Sequence, residues 1–370
     1  MNSTSSNTDK LGVVVIGRNE GDRLTRCLHS VVGRARHIVY VDSGSTDGSV
    51  HTARECGVAV HELDMSMPFT AARARNDGFS RLLGMAPEFQ AVQFVDGDCE
   101  VHPGWLTAGM ETLEREPDVA VVVGRLRESQ PHESLYNRLC DIEWDRPVGE
   151  ARSCGGNALI RIAAYRQVGG YDPTIIAGEE PELCARLRAD RWRVLRIDAD
   201  MALHDADMQR FGQWWSRAVR AGHAYAEGAW LCGRTVDQQA LRPVASIVLW
   251  GAFLPAAALL AAWPTHGLSI TLVALLYLCQ SYRIFRNTRA TGRSKADSVL
   301  VATFTLLGKF AQLQGLLLFA FRRATGRRTR LIEHKDPAER QRNASEMSEE
   351  APTYGEGLTS NPAGTSSNVP

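Results

Sequence analysis

The stretch Phe94-Val95-Asp96-Gly97-Asp98-Cys99-Glu100 sets two carboxylates on either side of one glycine, directly after an apolar run. Hard divalent cations take oxygen ligands, and a glycine lets a bound diphosphate come close. Asp96 and Asp98 therefore fit a cation–diphosphate site better than a solvated turn. Two earlier loops, Gly17-Arg18-Asn19-Glu20-Gly21 and Asp42-Ser43-Gly44-Ser45-Thr46-Asp47-Gly48, also follow apolar runs. Their backbone N–H groups and carboxylates suit a nucleotide base, ribose and phosphates, although the second loop taken alone reads equally well as a turn. Neither matches the G-x-G-x-x-G fingerprint, so a nicotinamide or flavin dehydrogenase loses its main support. Further on, Glu179-Glu180-Pro181 puts two acids where proline suits a first helical turn and the helix dipole favours negative charge. That is either ordinary capping or, facing a metal-diphosphate site, the place for a general base.

These residues need a frame that brings them to one edge. From Leu11 to about Gly233, short β-branched runs alternate with helix-length amphipathic segments. The runs are 13–16, 37–41, 58–60, 91–95 and 119–123. Between the first two lies Glu20–Val32, with Leu24, Leu28 and Val31 at helical spacing, and between the next two lies Ser49–Cys56. Repeated strand–helix–strand units predict an α/β fold with a mainly parallel sheet covered on both faces, whose ligands sit at the carboxyl ends of the strands. The motif loops fall there.

Past Leu241 the character changes. Residues 244–263 carry no charge over twenty positions and 267–282 none over sixteen, with Pro264-Thr265-His266 between them. Twenty helical residues span a hydrocarbon layer of about 30 Å, and Arg242 before with Arg283, Arg286 and Arg289 after predict a membrane hairpin with both ends cytoplasmic. The next apolar stretch, 298–321, holds Lys309, Gln312 and Gln314 and is flanked by basic residues on both sides. Spanning would carry one basic cluster across, so an interfacial or re-entrant helix is expected, its clusters on anionic headgroups. Four segments result: a disordered start over 1–10, a catalytic module over 11–235, a membrane region over 236–335 and a disordered tail over 336–370, rich in Ser, Thr, Asn, Glu, Gly and Pro.

Forty-two basic and forty-two acidic residues cancel in the 370-residue chain. The balance hides segregation, because positions 283–330 contain eleven Lys or Arg against one acid, Asp297. Nucleic-acid binding is not expected, since that basic cluster brackets apolar helices and lacks the interleaved aromatics of a base-stacking platform. Eight cysteines without a C-x-x-C pair suggest reduced thiols rather than a disulfide framework or a zinc knuckle. The polar first ten residues lack the apolar core of a secretory signal, which keeps the catalytic module cytoplasmic.

Taken in order, VIGRNEG, VDSGSTDGS, ARNDG, FVDGDCE, CGGNALIRIAAYRQVGGYD and GEEPELCARL resemble a family 2 inverting glycosyltransferase of the membrane-associated bacterial type, over about Leu11 to Gly233. The resemblance implies the GT-A nucleotide-diphospho-sugar transferase fold, a nucleotide-sugar donor and Mn2+ or Mg2+. It implies donor contacts from Asn19, Glu20, Asp42, Arg75, Asn76 and Asp96, and metal ligation by Asp98 with Asp96 and His204. Glu180 would act as base beside Glu179; family members commonly carry Glu-Asp here, so the extra methylene alters the reach of Glu180. Trp214, Trp215 and Arg217 would form an acceptor flap, with packing against the membrane hairpin as the equal alternative. Their spacing and order differ from the Q-x-x-R-W of processive members, so a non-processive hexosyltransferase is expected. Surface polysaccharide or glycolipid synthesis at the cytoplasmic face of the inner membrane, with a lipid-linked or saccharide acceptor, is the role the resemblance implies. A polyprenyl-phosphate sugar transferase is the alternative within enzymes. An inactive nucleotide-sugar-binding scaffold is disfavoured, because the Asp-x-Asp acids and the Glu pair are all present.

Overall fold

The computed structural model describes residues 10–85, 88–232 and 241–326. The expected disordered ends, 1–10 and 336–370, fall outside these apart from Lys10, as do the arginines at 327, 328 and 330.

The β-branched runs form strands because their side chains are buried on both faces of a sheet. These are β1 (Leu11–Gly17), followed by helix α1 (Asp22–Val31), then β2 (His37–Asp42), α2 (Ser49–Glu55), β3 (Ala59–Glu62), α3 (Ala71–Met85) and β4 (Ala91–Asp96). After them come β5 (Cys99–Val101), α4 (Trp105–Arg115), β6 (Val119–Glu128) and α5 (Leu135–Trp144). The catalytic part closes with β7 (Gly149–Glu150), β8 (Ala158–Arg161), α6 (Ile162–Gln167), α7 (Glu179–Ala189), β9 (Arg193–His204) and α8 (Phe211–Cys232). The core lies between sheet and helices, with Val13, Val14, Tyr40, Phe94, Trp105 and Leu159 fully enclosed.

The strand order is β3-β2-β1-β4-β8-β6-β9-β5, with β7 added beside β9. Among the described residues four pairings are parallel and four antiparallel. The sheet is thus an evenly mixed one rather than mainly parallel: β1 to β4 follow the expected parallel rule, and β8 then enters antiparallel between β4 and β6. That insertion has a functional consequence. Ala158 pairs with Phe94, so the loop before β8 emerges at the same edge where β4 releases Asp96. At the far side, β9 runs past its first apolar stretch to His204, which pairs with Cys99 of β5.

The C-terminal part is three helices, α9 (Leu241–Leu260, with a π-turn over Leu249–Phe253), α10 (Leu268–Ala290) and α11 (Lys295–Thr325). By length and composition each is long and apolar enough to cross a membrane. The expected hairpin stretches lie within or next to α9 and α10, and α10 continues eight residues beyond its apolar part to Ala290. Residues 298–321 fall in one uninterrupted helix without a turn.

Helix α11 lies along α8. The Trp214 ring meets Phe304 edge-on at 4.8 Å, and Trp215 Nε1 donates to Gln314 Oε1 at 2.8 Å. A Cβ at Gly222 would stand 2.0 Å from the Gln312 carbonyl oxygen, and one at Gly315 2.0 Å from the Val219 carbonyl oxygen. Backbone therefore touches backbone at these two glycines, the device by which small residues let helices pack closely. At the start of α11, Ser294 caps the helix and Asp297 accepts two bonds from the Arg138 guanidinium of α5, at 2.8 Å each. Near its end Arg323 covers the Trp230 ring of α8 at 4.9 Å. Both ends of α11 are thus fastened to the catalytic part.

Candidate active site

Strands β1, β2 and β4 deliver their loops to one edge, and the loops hold one another. Asn19, at φ 53°, donates its N–H to Ser45 Oγ at 2.9 Å and accepts from the Thr46 N–H at 2.7 Å. Gly21 N–H donates to Asp47 at 2.9 Å. Asp42 accepts from Tyr40 Oη at 2.9 Å and from the N–H groups of Gly44 and Ser45 at 3.0 and 2.8 Å. Its expected base-binding carboxylate is buried and shapes the loop from within. Glu20 pairs with Arg23 at 2.8 Å. Gly97 leaves little room for a side chain, since a Cβ would lie 3.1 Å from the Ile16 carbonyl oxygen.

Arg75 is the hub of the site. It is 2% exposed; its Nη2 donates to Asp96 Oδ1 at 2.9 Å, and its Nη1 donates to Glu179 Oε1 at 2.8 Å. Glu180 Oε1 stands 3.7 Å away, and the Tyr171 ring lies under the guanidinium at 5.4 Å. A guanidinium with this fork geometry can satisfy several carboxylates that would otherwise repel in a low dielectric. Arg75 therefore links the three acids in one buried network.

The two glutamates of α7 differ. Glu179 is 3% exposed and ion-paired, whereas the Glu180 side chain is 18% exposed. Burial, and then the neighbouring Glu179 charge, push the Glu180 carboxyl up to about 7, against the opposing pull of Arg75. A carboxyl there is poised to take a proton near neutral pH.

Asp98 and His204 meet as expected, Oδ1 to Nε2 at 3.2 Å, and with Cys99 their ligand atoms all lie within 4.8 Å of one another. An oxygen and an imidazole nitrogen this close, with Cys99 buried behind them, fit a divalent cation. Trp144 packs edge-on against the imidazole, ring centroids 4.4 Å apart, and fixes its plane. Asp96 falls outside this group: one oxygen is taken by Arg75, and the other would lie 2.1 Å from a Cβ at Gly156.

Asn76 is bonded to Tyr165 and Tyr171. Its Oδ1 accepts from Tyr165 Oη at 2.6 Å and from Tyr171 N–H at 3.1 Å, and its Nδ2 donates to the Tyr171 carbonyl at 2.8 Å. A side chain so committed braces the Gly169-Gly170-Tyr171 turn. Trp214 and Trp215 are held by α11, as described above, and Arg217 Nη1 donates to Glu143 at 2.8 Å. All three fasten helices together, which is the packing expected of them, made against α11 and α5 in place of the hairpin. Sequence reasoning missed Asn157, whose Oδ1 accepts from the Asp96 N–H at 3.2 Å and whose Nδ2 donates to Cys99 Sγ at 3.2 Å. The Gly155-Gly156-Asn157 motif was the available signal.

Residues 12–166 match the profile of glycosyl transferase family 2. That segment of the chain is similar to a family 2 glycosyltransferase domain. Among curated proteins it is similar to glycosyltransferase AglE of Haloferax volcanii, 23% identical over 65% of this chain and 79% of that protein. It is also similar to the pre-mycofactocin glycosyltransferase of Mycobacterium tuberculosis, 28% identical over 81% of this chain and 63% of that one. Among solved structures, the mannosyltransferase PcManGT from Pyrobaculum calidifontis, in complex with GDP-Man and Mn2+, covers 86% of each chain at 15% identity and a TM-score of 0.49. The similarity is to the expected family, and the chain has the expected α/β class, with a sheet that is mixed rather than mainly parallel.

Proposed function

We propose that this glycosyltransferase is a metal-dependent, inverting enzyme that moves a sugar from a nucleotide-diphosphate donor to a hydroxyl acceptor at the cytoplasmic face of the inner membrane. The observation that carries this reading is the convergence of Asp96, Glu179 and Glu180 on Arg75 beside the Asp98–His204 pair. Asp98 and His204 would hold Mn2+ or Mg2+, which when bound offsets the charge that develops on the leaving nucleoside diphosphate. The β1 and β2 loops, locked together through Asn19 and Ser45, present N–H groups to the nucleotide end of the donor. Glu180, the more exposed of the two glutamates, takes the acceptor hydroxyl proton as that oxygen attacks the anomeric carbon. Glu179 accepts from Arg75 Nη1 and keeps the guanidinium in place. Attack opposite the leaving group inverts the anomeric configuration in one displacement.

The membrane side of the proposal rests on α9 to α11. Helices α9 and α10 form the spanning hairpin, with Arg242, Arg283, Arg286 and Arg289 on the cytoplasmic side. Helix α11, tied at both ends to the glycosyltransferase domain, lies along the surface and presents Phe310, Leu317 and Phe321 to lipid. An acceptor with a lipid anchor, such as a lipid-linked saccharide, would arrive at this seam. The test is transfer of labelled sugar by the full chain in lipid, with Mn2+, from a panel of nucleotide sugars to lipid-linked and free saccharides. Metal-dependent transfer supports the reading. Failure of every nucleotide sugar to stabilise the protein in the presence of Mn2+ sinks it.

A further inference from the structure

Strands β6 and β9 run parallel and end together, with Glu128 in register with His204. Past that point both chains leave the sheet, and one side chain holds the two exits. The Glu128 carboxylate is 3% exposed. Its Oε1 accepts from the Gln130 N–H at 3.1 Å and from the Ser129 hydroxyl at 3.4 Å, and its Oε2 accepts from the Ala206 N–H at 3.1 Å. The Ser129 N–H donates in turn to the His204 carbonyl at 2.9 Å. On the β5 side of the same segment, the Asp205 N–H donates to the Asp98 carbonyl at 3.0 Å. Helix α5 adds a third hold, since the Asn137 side chain accepts from the Met208 N–H at 3.0 Å and donates to the Gln130 carbonyl at 3.2 Å. Ala206 and Met208 then pack into the small apolar cluster shared by Trp144, Trp214 and Phe304.

We infer that Glu128 is a positioning residue for His204: by tying Ala206 to the end of β6 it fixes the backbone from which the imidazole meets Asp98, and so the spacing of the two cation ligands. The inference rests on the reading of Asp98 and His204 as the metal pair. Taking a carboxylate out of water is costly, and here bonds from both strand ends offset that cost. A charged acceptor also anchors backbone N–H groups more strongly than a neutral one. A glutamine of the same shape would turn its NH2 toward one of the two N–H groups, donor against donor, and one tie would be lost. Glu128 is not itself among the residues whose ligand atoms converge, Asp98, Cys99 and His204. It acts on the cation through the position of the histidine.

The experiment uses the full chain in lipid nanodiscs and compares Glu128→Gln and Glu128→Ala with the unchanged protein. Mn2+ alone is titrated in, and the free ion is followed by its electron paramagnetic resonance signal. The dissociation constant is expected to rise about tenfold in Glu128→Gln and more in Glu128→Ala, the scale on which partners that orient a metal-ligating histidine act. Hydrogen–deuterium exchange of the backbone amides over 204–208, measured without metal, is expected to speed up about tenfold in Glu128→Gln, the effect of losing a charge-assisted bond. Peptides from β1 and β4 should exchange as before. A lower melting temperature with unchanged Mn2+ affinity of the folded protein overturns the inference, since a purely structural role would give that result. Unchanged exchange over 204–208 overturns it too, and so does equal acceleration across the sheet. If the unchanged chain binds no Mn2+, the metal reading proposed above fails, and the exchange comparison alone decides whether Glu128 holds this segment.

Discussion

At the sheet edge, contact is made by charge: Arg75 reaches Asp96 at 2.9 Å and Glu179 at 2.8 Å, and Asp98 meets His204 at 3.2 Å. Along α8 and α11 contact is made by shape: Gly222 lies against the Gln312 carbonyl, Gly315 against the Val219 carbonyl, and Trp214 against Phe304. The edge holds acids that would repel one another without a buried cation, an arrangement of restricted stability value kept because it fixes reactive groups. The helix pair holds nothing reactive and relies on van der Waals packing at close backbone approach. One region tolerates little change in charge and the other little change in volume. Parallel substitutions in the two should therefore report on different properties.

The largest expected effect is at the edge. Glu180→Gln keeps shape and removes the base, so kcat should fall about 10²–10⁴-fold while nucleotide affinity stays. The sign of the accompanying pH dependence follows from its raised carboxyl. Below about 7 Glu180 is protonated and cannot accept the acceptor proton, so kcat of the unchanged enzyme should rise with pH through that value and level off above it. The same shift means that ionising Glu180 disfavours the folded state at alkaline pH. Glu180→Gln should then melt higher than the unchanged protein at pH 8 and alike at pH 4. A flat rate profile from pH 6 to 8 would remove Glu180 from the role.

Two glycine-to-alanine changes sharpen the contrast. In Gly156→Ala the new methyl would fall 2.1 Å from Asp96 Oδ2 and 2.8 Å from Arg75 Nη2, so the hub must shift. A displacement of about 1 Å in a positioned group can lower the rate on the order of a hundredfold, and turnover should fall by that order with the melting temperature little changed. In Gly315→Ala the methyl meets the Val219 carbonyl at 2.0 Å, with no side chain free to move aside. Overpacking of this kind costs about 1–3 kcal/mol, read as a lower melting temperature, with turnover of the folded protein little changed. If Gly315→Ala lowered turnover as strongly as Gly156→Ala, the two regions would not be separable in this way.

The edge was legible in the sequence because its signals are local. The runs of β1, β2 and β4 are continuous and apolar, and Asn19, Asp42 and Asp98 follow them directly. His204 was legible only through the resemblance, as it reaches Asp98 through β9, about a hundred residues later. Arg75 read as a donor contact because nothing in ARNDG reveals that Glu179 lies 2.8 Å away. The antiparallel entry of β8 was hidden for the same reason: a four-residue strand has no periodicity of its own, and its partners decide its direction. The packing partners of Asn76, Trp214 and Trp215 were not legible, because polar or aromatic character is equally compatible with a cleft and with a packing seam. Only the Tyr165 hydroxyl and the Phe304 ring decide between them.

The seating of α8 on α11 bears on how the enzyme can be handled. Removing the chain from Lys295 onward would strip Trp214 and Val219 of their cover and leave Arg138 without Asp297. A shortened form ending after α8 would present a sticky apolar stripe and self-associate, whatever the integrity of its sheet. Crystallisation or screening programmes that trim membrane proteins to their water-soluble half would discard a structural wall of this one, and detergent should be chosen to keep α11 in register.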